Sequence, residues 1–235
     1  MPHAYYLAGD SYPRDLPAET ALADRLERAG IEVVRHHRLA ALAGLPRLPT
    51  DLPGRIAALS RAISEMQRPQ SPFLIGRSSG ARVATVAAAR LPVAGVVCLG
   101  YPFRVPGRLL EPARFVHLAG LCTPTLIFQG ERDPYGGRKL TQDFLLSPAI
   151  SLHFVSGGHR LELDETEWDA LALRVERFMT GRPLPPSADR FDEAFYLERH
   201  PDVAAEVAEG RVGSGAEHYE RLGREEGRMY RLAAR

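Results

Sequence analysis

"FLIGRSSGARVATVAAA", Phe73 to Ala89, changes character twice in a short span. Phe73, Leu74 and Ile75 suit a buried strand, and the alanine-rich run after Gly80 suits a closely packed helix. Only Gly76-Arg77-Ser78-Ser79-Gly80 is left to reverse the chain. Glycine serves where a β-carbon would clash, and two of them bracketing one serine ask for more than a turn. The pattern is G-x-S-x-G, in which a sharp strand-to-helix bend exposes a serine hydroxyl. The helix behind it aims backbone N–H groups at any negative charge that develops there. The motif by itself is matched equally well by a glycine-rich connector. Its setting between strand and helix is what favours the elbow.

Outward from this stretch, apolar runs alternate with helical patterns. Strands are expected at Ala4 to Leu7, Ile31 to Arg35, Phe73 to Ile75, Gly95 to Leu99, Thr125 to Gln129 and Ile150 to Val155. Leu22, Leu26 and Ala29 recur at helical spacing, with Gly30 as the stop. Ile56, Leu59, Ile63 and Met66 make a second stripe, and Trp168, Leu171, Val175 and Phe178 a third, headed by an Asp164-Glu165-Thr166-Glu167 cap. Such alternation predicts an α/β domain with a doubly wound, mostly parallel sheet, whose strand-exit loops gather at one rim. The pattern ends near Met179. "TGRPLPPSADR", Thr180 to Arg190, reads as a linker. The expected division is a main domain over 1–180, a linker over 181–190 and a small helical module over 191–235.

The 235 residues, 45% hydrophobic, suffice for one full core and an appendage. A formal net charge of +1 gives no electrostatic draw toward nucleic acid or anionic lipid. No apolar run approaches the roughly 18 residues of a membrane span, and Met1 to Tyr5 lacks the layout of a secretory signal. Cys98 sits late in one apolar run and Cys122 just before the next, so parallel strands would hold the sulfurs too far apart to bridge. With no metal-ligand spacing either, a reduced, cytoplasmic protein without metal or cofactor is the expectation.

A serine hydroxyl attacks carbonyls only when a base takes its proton. On this architecture the partners should follow in the order Ser, Asp, His. Asp133 lies in Gly130-Glu131-Arg132-Asp133-Pro134, directly after one strand, and His159 in Ser156-Gly157-Gly158-His159, directly after the next. A loop aspartate is commonly just a turn residue, and a loop histidine is commonly just solvated. Three suitable residues in order, each at a strand exit, favour a triad of Ser78, Asp133 and His159.

These stretches resemble the α/β-hydrolase superfamily, and within it small dienelactone-hydrolase-like bacterial proteins. The resemblance rests on Gly76 to Arg82, "VCLGYPF" (Val97 to Phe103), "PTLIFQGERDPYG" (Pro124 to Gly136) and "LSPAI" (Leu146 to Ile150), and spans about Tyr6 to Met179. It implies Ser78 as nucleophile, Asp133 as acid and His159 as base. It also implies an oxyanion hole from the backbone N–H groups of Asp10 and Ser79. The family's His-Gly-Ala-Gly turn is replaced here by Ala8-Gly9-Asp10-Ser11, and its elbow methionine by Ser79. A carboxylate at Asp10 opposes a developing negative charge unless its side chain turns away. The first hairpin of the superfamily is expected to be missing, because the chain starts almost at the first core strand.

Arg77, Tyr101 and Arg104, all near strand exits, are candidates to line the substrate pocket, Arg77 as partner of an acidic substrate or as a solvated or ion-paired side chain. His36 and His37 follow a strand toward the same rim without a third ligand, which argues against zinc. His153, inside a strand, is expected on the sheet surface. The short Leu99–Thr125 connection leaves no room for a large lid, so an open site for small acyl substrates is expected. The expected activity is that of a serine esterase or thioesterase working through an acyl-enzyme. A non-catalytic scaffold, or peptidase or carbon–halogen chemistry, are the alternatives.

The tail from Phe191 resembles a short bacterial helical repeat through Asp192, Tyr196, Leu197, Pro201, Asp202, Val203, Ser214, His218, Tyr219, Gly223 and Glu226 to Arg228. Two or three short helices, an aromatic cluster and a Ser214–Glu217 capping box are expected, with Pro201 breaking the first helix. So small a module is expected to dock on the main domain, on a second copy or on a protein partner.

Overall fold

Six apolar segments form one parallel sheet in the computed structural model, which describes residues 1–141, 144–182, 191–223, 226 and 228, with the side chains of 139, 140 and 220 left aside. The strands are β1 (His3–Leu7), β2 (Glu32–Val34), β3 (Phe73–Arg77), β4 (Gly95–Leu99), β5 (Thr125–Gly130) and β6 (Ile150–Val155). Their order is β2-β1-β3-β4-β5-β6, and every neighbouring pair is parallel.

Because successive strand residues point to opposite faces, each strand feeds two cores. Ile75, Val97 and Phe128 pack against α1 (Leu16–Arg28), while Leu74, Val96 and Ile127 pack on the other side against α2 (His36–Leu42), α3 (Leu52–Met66) and α4 (Ser79–Ala88). After the short α5 (Arg138–Thr141), α6 (Glu165–Thr180) joins α1 through Trp168, Leu171 and Val175. Continuous apolar runs such as Phe73–Ile75 are what a sheet covered on both faces requires. Asp164 and Glu167 complete the reciprocal cap that starts α6, and Gly30, at φ +80°, follows the end of α1.

Several boundaries differ from the sequence reading: β1 begins at His3, β2 begins at Glu32, β3 runs on to Arg77 and β5 to Gly130. Arg35 leaves the strand because it caps α2, whose first residue is His36. Thr180 belongs to α6 rather than to the linker, since the helix ends only at Gly181 with φ +70°. Residues 183–190 of the expected linker lie outside the described residues.

β1 stands between β2 and β3, so the chain winds one way from β1 and the other way from β3. At such a switch point the helices diverge and leave a crevice beyond the strands' carboxyl ends. The loop after β1 and the elbow after β3 both open into it. Among the described residues no helix is long and apolar enough to cross a membrane.

The chain divides into two compact units, Met1–Arg182 and Pro183–Arg235. The second contains α7 (Glu193–Arg199), α8 (Pro201–Ala208) and α9 (Gly215–His218) around Phe191, Tyr196, Val203 and Tyr219. Ser214 accepts the Glu217 N–H as expected, but the Glu217 carboxylate reaches back to the Gly213 N–H instead of that of Ser214.

Candidate active site

The bend after β3 holds Ser78 at φ +51° and ψ −120°, a conformation costly for any residue with a β-carbon. It persists because its surroundings leave no alternative. The Ser78 N–H donates to the Leu99 carbonyl across the sheet. Gly80 packs so close to β1 that a Cβ there would stand 2.0 Å from the Leu7 carbonyl oxygen. The glycine therefore lets α4 start directly behind the serine. Ser79 opens that helix, so its N–H has no intrahelical acceptor.

The structure brings the three predicted side chains together. Ser78 Oγ lies 2.9 Å from His159 Nε2, and His159 Nδ1 lies 2.8 Å from Asp133 Oδ2. A carboxylate only accepts, so Nδ1 carries the ring proton and Nε2 is left to accept from the serine hydroxyl. Asp133 is 2% exposed. Its oxygens are held by the Gln129 side-chain amide at 2.7 Å and by the Tyr135 N–H at 2.7 Å. Gln129 is itself fully buried and bridges to both backbone polar groups of Tyr101. The Tyr135 ring stacks on His159 with centroids 4.2 Å apart, fixing the plane of the imidazole.

Across the crevice, the turn after β1 meets the elbow directly. A Cβ on Gly9 would stand 3.1 Å from that of Ser78. The Gly9 N–H donates to Asp15, the Ala8 N–H to His36 Nδ1, and the Ala8 carbonyl accepts from Arg55. Burial, with Arg55 nearby, pushes His36 down to about 4, which keeps the ring neutral and able to accept. The Asp10 side chain turns to Ser79 and Arg55.

Two expectations for other residues need correction. Tyr101 does not line a pocket: it is fully buried beside Phe103 and donates its hydroxyl to the Arg114 carbonyl. Its ring is large and apolar, and the strand exit directs it into the core under α4. Arg77 is buried rather than solvated, and among the described residues it forms no ion pair. It is 4% exposed, and its guanidinium donates to the carbonyls of Leu99 and His159, tying the histidine loop to β4. Burial lowers its pKa, and Nη1 also lies 3.5 Å from His159 Nε2. His36 stands toward the rim as its sequence predicts, and its Nδ1 accepts the N–H of Ala8 in the turn after β1. Arg104 is half-buried near Tyr135, whose carbonyl accepts its backbone N–H. His153 is half-buried, stacked on Phe128 at 5.5 Å.

A cavity of about 600 Å³ lies beside the site, walled by Ala18, Leu161, Leu163 and Trp168, with Ser11, Arg77 and Arg160 on its border. Those last three adjoin Asp10, Ser78 and His159 in the chain. Among the described residues no group of three His, Cys, Asp or Glu side chains is placed to hold a metal ion. Both cysteines are free, Cys98 buried and Cys122 exposed.

Sequence reasoning missed Gln129, Tyr135 and Arg55. The first two stand inside the quoted Gln129-to-Gly136 string, where only Asp133 was singled out. Arg55 carried a signal: it shares a helical face with Ala58, Leu59 and Ala62, all buried, and a charge there needs a partner.

Residues 8–172 match a family model described as an alpha/beta hydrolase domain. No curated protein matches the chain significantly. Similar solved structures include Est1E from Butyrivibrio proteoclasticus, described with bound ferulic acid, at 14% identity and a TM-score of 0.56 over 77% of this chain and 89% of that one. The esterase domain of a Rhodothermus marinus protein is similar at 18% identity and a TM-score of 0.54, covering 75% and 85%. One of the metagenome-derived lipolytic enzymes LipS and LipT is similar at 17% identity and a TM-score of 0.53, covering 76% and 93%. Identities this low speak to the fold.

Proposed function

This chain belongs to the α/β-hydrolase family, and from that premise we propose that it is a serine hydrolase cleaving ester or thioester bonds of small acyl substrates. The observation that carries the reading is the unbroken relay from Ser78 Oγ through His159 to Asp133 at a left-handed elbow. The strings that resemble small dienelactone-hydrolase-like proteins support, on the same reading, assigning it to that branch.

In the cycle, His159 Nε2 takes the Ser78 proton as Oγ bonds to the substrate carbonyl carbon. Asp133 supports the imidazolium that forms. The amides of Asp10 and Ser79 hold the carbonyl oxygen as it becomes an oxyanion. Collapse breaks the bond to the alcohol or thiol, which leaves with the proton from His159. Water then attacks the acyl-enzyme with His159 again as base, releasing the acid and returning the proton to Ser78. The cavity beside Trp168 offers space for the acyl group, and its volume lies in the range usual for small-molecule sites.

The test is covalent labelling with a fluorophosphonate followed by peptide mass spectrometry. The expected result is one adduct on Ser78, absent from Ser78→Ala, together with turnover of p-nitrophenyl acetate lost in both Ser78→Ala and His159→Ala. A folded protein without an adduct, or one whose adduct survives Ser78→Ala, defeats the reading.

A further inference from the structure

The two residues whose amides are assigned to the oxyanion hole are both places where the sequence departs from the pattern it resembles. In the structure their side chains meet. Ser79 Oγ donates to Asp10 Oδ1 at 2.7 Å. One buried cation closes the group: Arg55, on α3, directs Nη1 to Asp10 Oδ1 at 3.3 Å and to Ser79 Oγ at 3.1 Å, while Nη2 donates to the Ala8 carbonyl. Arg55 has 8% of its side chain exposed, and Asp10 has 76%. The arginine comes from beneath and the carboxylate lies on top.

We propose that Arg55 is a positioning residue that clamps the β1 turn to the elbow and neutralises Asp10, so that both oxyanion amides keep their aim despite the nearby carboxylate. This rests on the serine-hydrolase reading above. Two physical consequences follow from the contacts. A carboxylate with no counter-charge would repel an oxyanion formed a residue away, and solvent at the exposed Asp10 weakens that repulsion without abolishing it. A turn and a helix start that move independently would also let the two amides drift apart, and oxyanion stabilisation falls off with fractions of an ångström. Arg55 opposes both, because it touches the backbone of Ala8, the carboxylate of Asp10 and the hydroxyl of Ser79 together. Ser79, in place of an apolar side chain, supplies the short link that draws Asp10 sideways onto the arginine. The two departures are thus complementary: a serine at one position accommodates an aspartate at the other.

The test measures kcat and KM for p-nitrophenyl acetate in full-length protein. Arg55→Gln keeps a donor for the Ala8 carbonyl but no charge. It is expected to lose kcat by about 100-fold, the scale of a lost oxyanion donor, with KM changed by less than about threefold. Arg55→Lys, which keeps the charge, should recover about tenfold of that loss. The decisive arm adds Asp10→Asn. In the wild-type background it should lower kcat by about threefold, because the turn loses a link of the clamp, but on Arg55→Gln it should restore at least about tenfold, because the repelling charge is gone. A role for Arg55 confined to propping up the fold would show no such rescue. Ser79→Ala, at a partly exposed helix start, decides the matter if Arg55→Gln does not fold: a kcat loss of about fivefold is expected. Arg55→Gln within threefold of wild type, an Arg55→Gln loss untouched by Asp10→Asn, or an unaffected Ser79→Ala each overturns the clamp. A wild-type protein without Ser78-dependent turnover overturns the serine-hydrolase reading itself, and the clamp with it.

Discussion

The two carboxylates at the rim, Asp133 after β5 and Asp10 after β1, are held in opposite ways. Asp133 is 2% exposed and is gripped by neutral donors, the Gln129 amide and the Tyr135 N–H. Asp10 stands in water and is gripped by a buried cation. The difference follows what each carboxylate faces. Asp133 must attract a charge that appears on the imidazole, so a permanent cation beside it would spoil it. Neutral donors orient it without spending its charge. Asp10 lies near a site where negative charge would develop, so its own charge has to be cancelled. Burial with neutral partners preserves an ionic influence, whereas pairing with a guanidinium removes it.

The sharpest way to break this contrast is to neutralise each acid in turn. Asp133→Asn should lower kcat by about 10⁴-fold, because the amide turns the imidazole to the wrong tautomer. Asp10→Asn should stay within about threefold, and paired esterase assays on the two variants read the difference. Equal losses would show that the two acids do the same job. A smaller effect is expected from loosening the grip on Asp133. Gln129→Leu removes donors to Asp133 and the Tyr101 carbonyl and the acceptor for the Tyr101 N–H, and should reduce kcat about tenfold. Unfolding in urea should show about 1–3 kcal/mol of lost stability as those buried groups are left unpaired. Unchanged kcat with lowered stability would separate packing from orientation.

The smallest expected effect concerns the turn side and its dependence on pH. His36 ordinarily titrates at 6.5 and is held down to about 4 by burial and Arg55. The unfolded chain therefore takes up this proton first as pH falls. Stability present above pH 6.5 is lost between 6.5 and about 4, by about 3 kcal/mol at most. Glu19, whose carboxylate accepts the His36 backbone N–H, is pushed up by its own burial and works in the opposite direction. A net fall smaller than that limit is expected, read as a Tm decline from pH 7 to 4.5 that is shallower in His36→Asn. An identical slope in that variant would remove His36 as its source.

Several of these features were legible in the chain and others were not. The strands at Phe73, Gly95, Thr125 and Ile150 begin where the apolar runs begin, because a sheet covered on both faces tolerates little else. Ser78, Asp133 and His159 could be picked out because each follows such a run in a fixed order. Tyr101 misled, whereas Arg77 does line the cavity beside the site, though held by backbone carbonyls. A residue at a strand exit can point up to the rim or down into the core, and strand periodicity does not say which once the chain bends. Arg55 escaped notice because its partners, Ala8, Asp10 and Ser79, are remote from it in the sequence.

By itself the sequence determined the alternation of strand and helix, the side-chain types at the rim and their order, since these depend on local periodicity and on backbone limits at single residues. Only the tertiary structure decided that β1 lies beside β3, that Asp10 and Ser79 therefore meet, and that an arginine from α3 reaches both. Such pairings arise from the packing of distant segments, and short-range patterns carry no record of them.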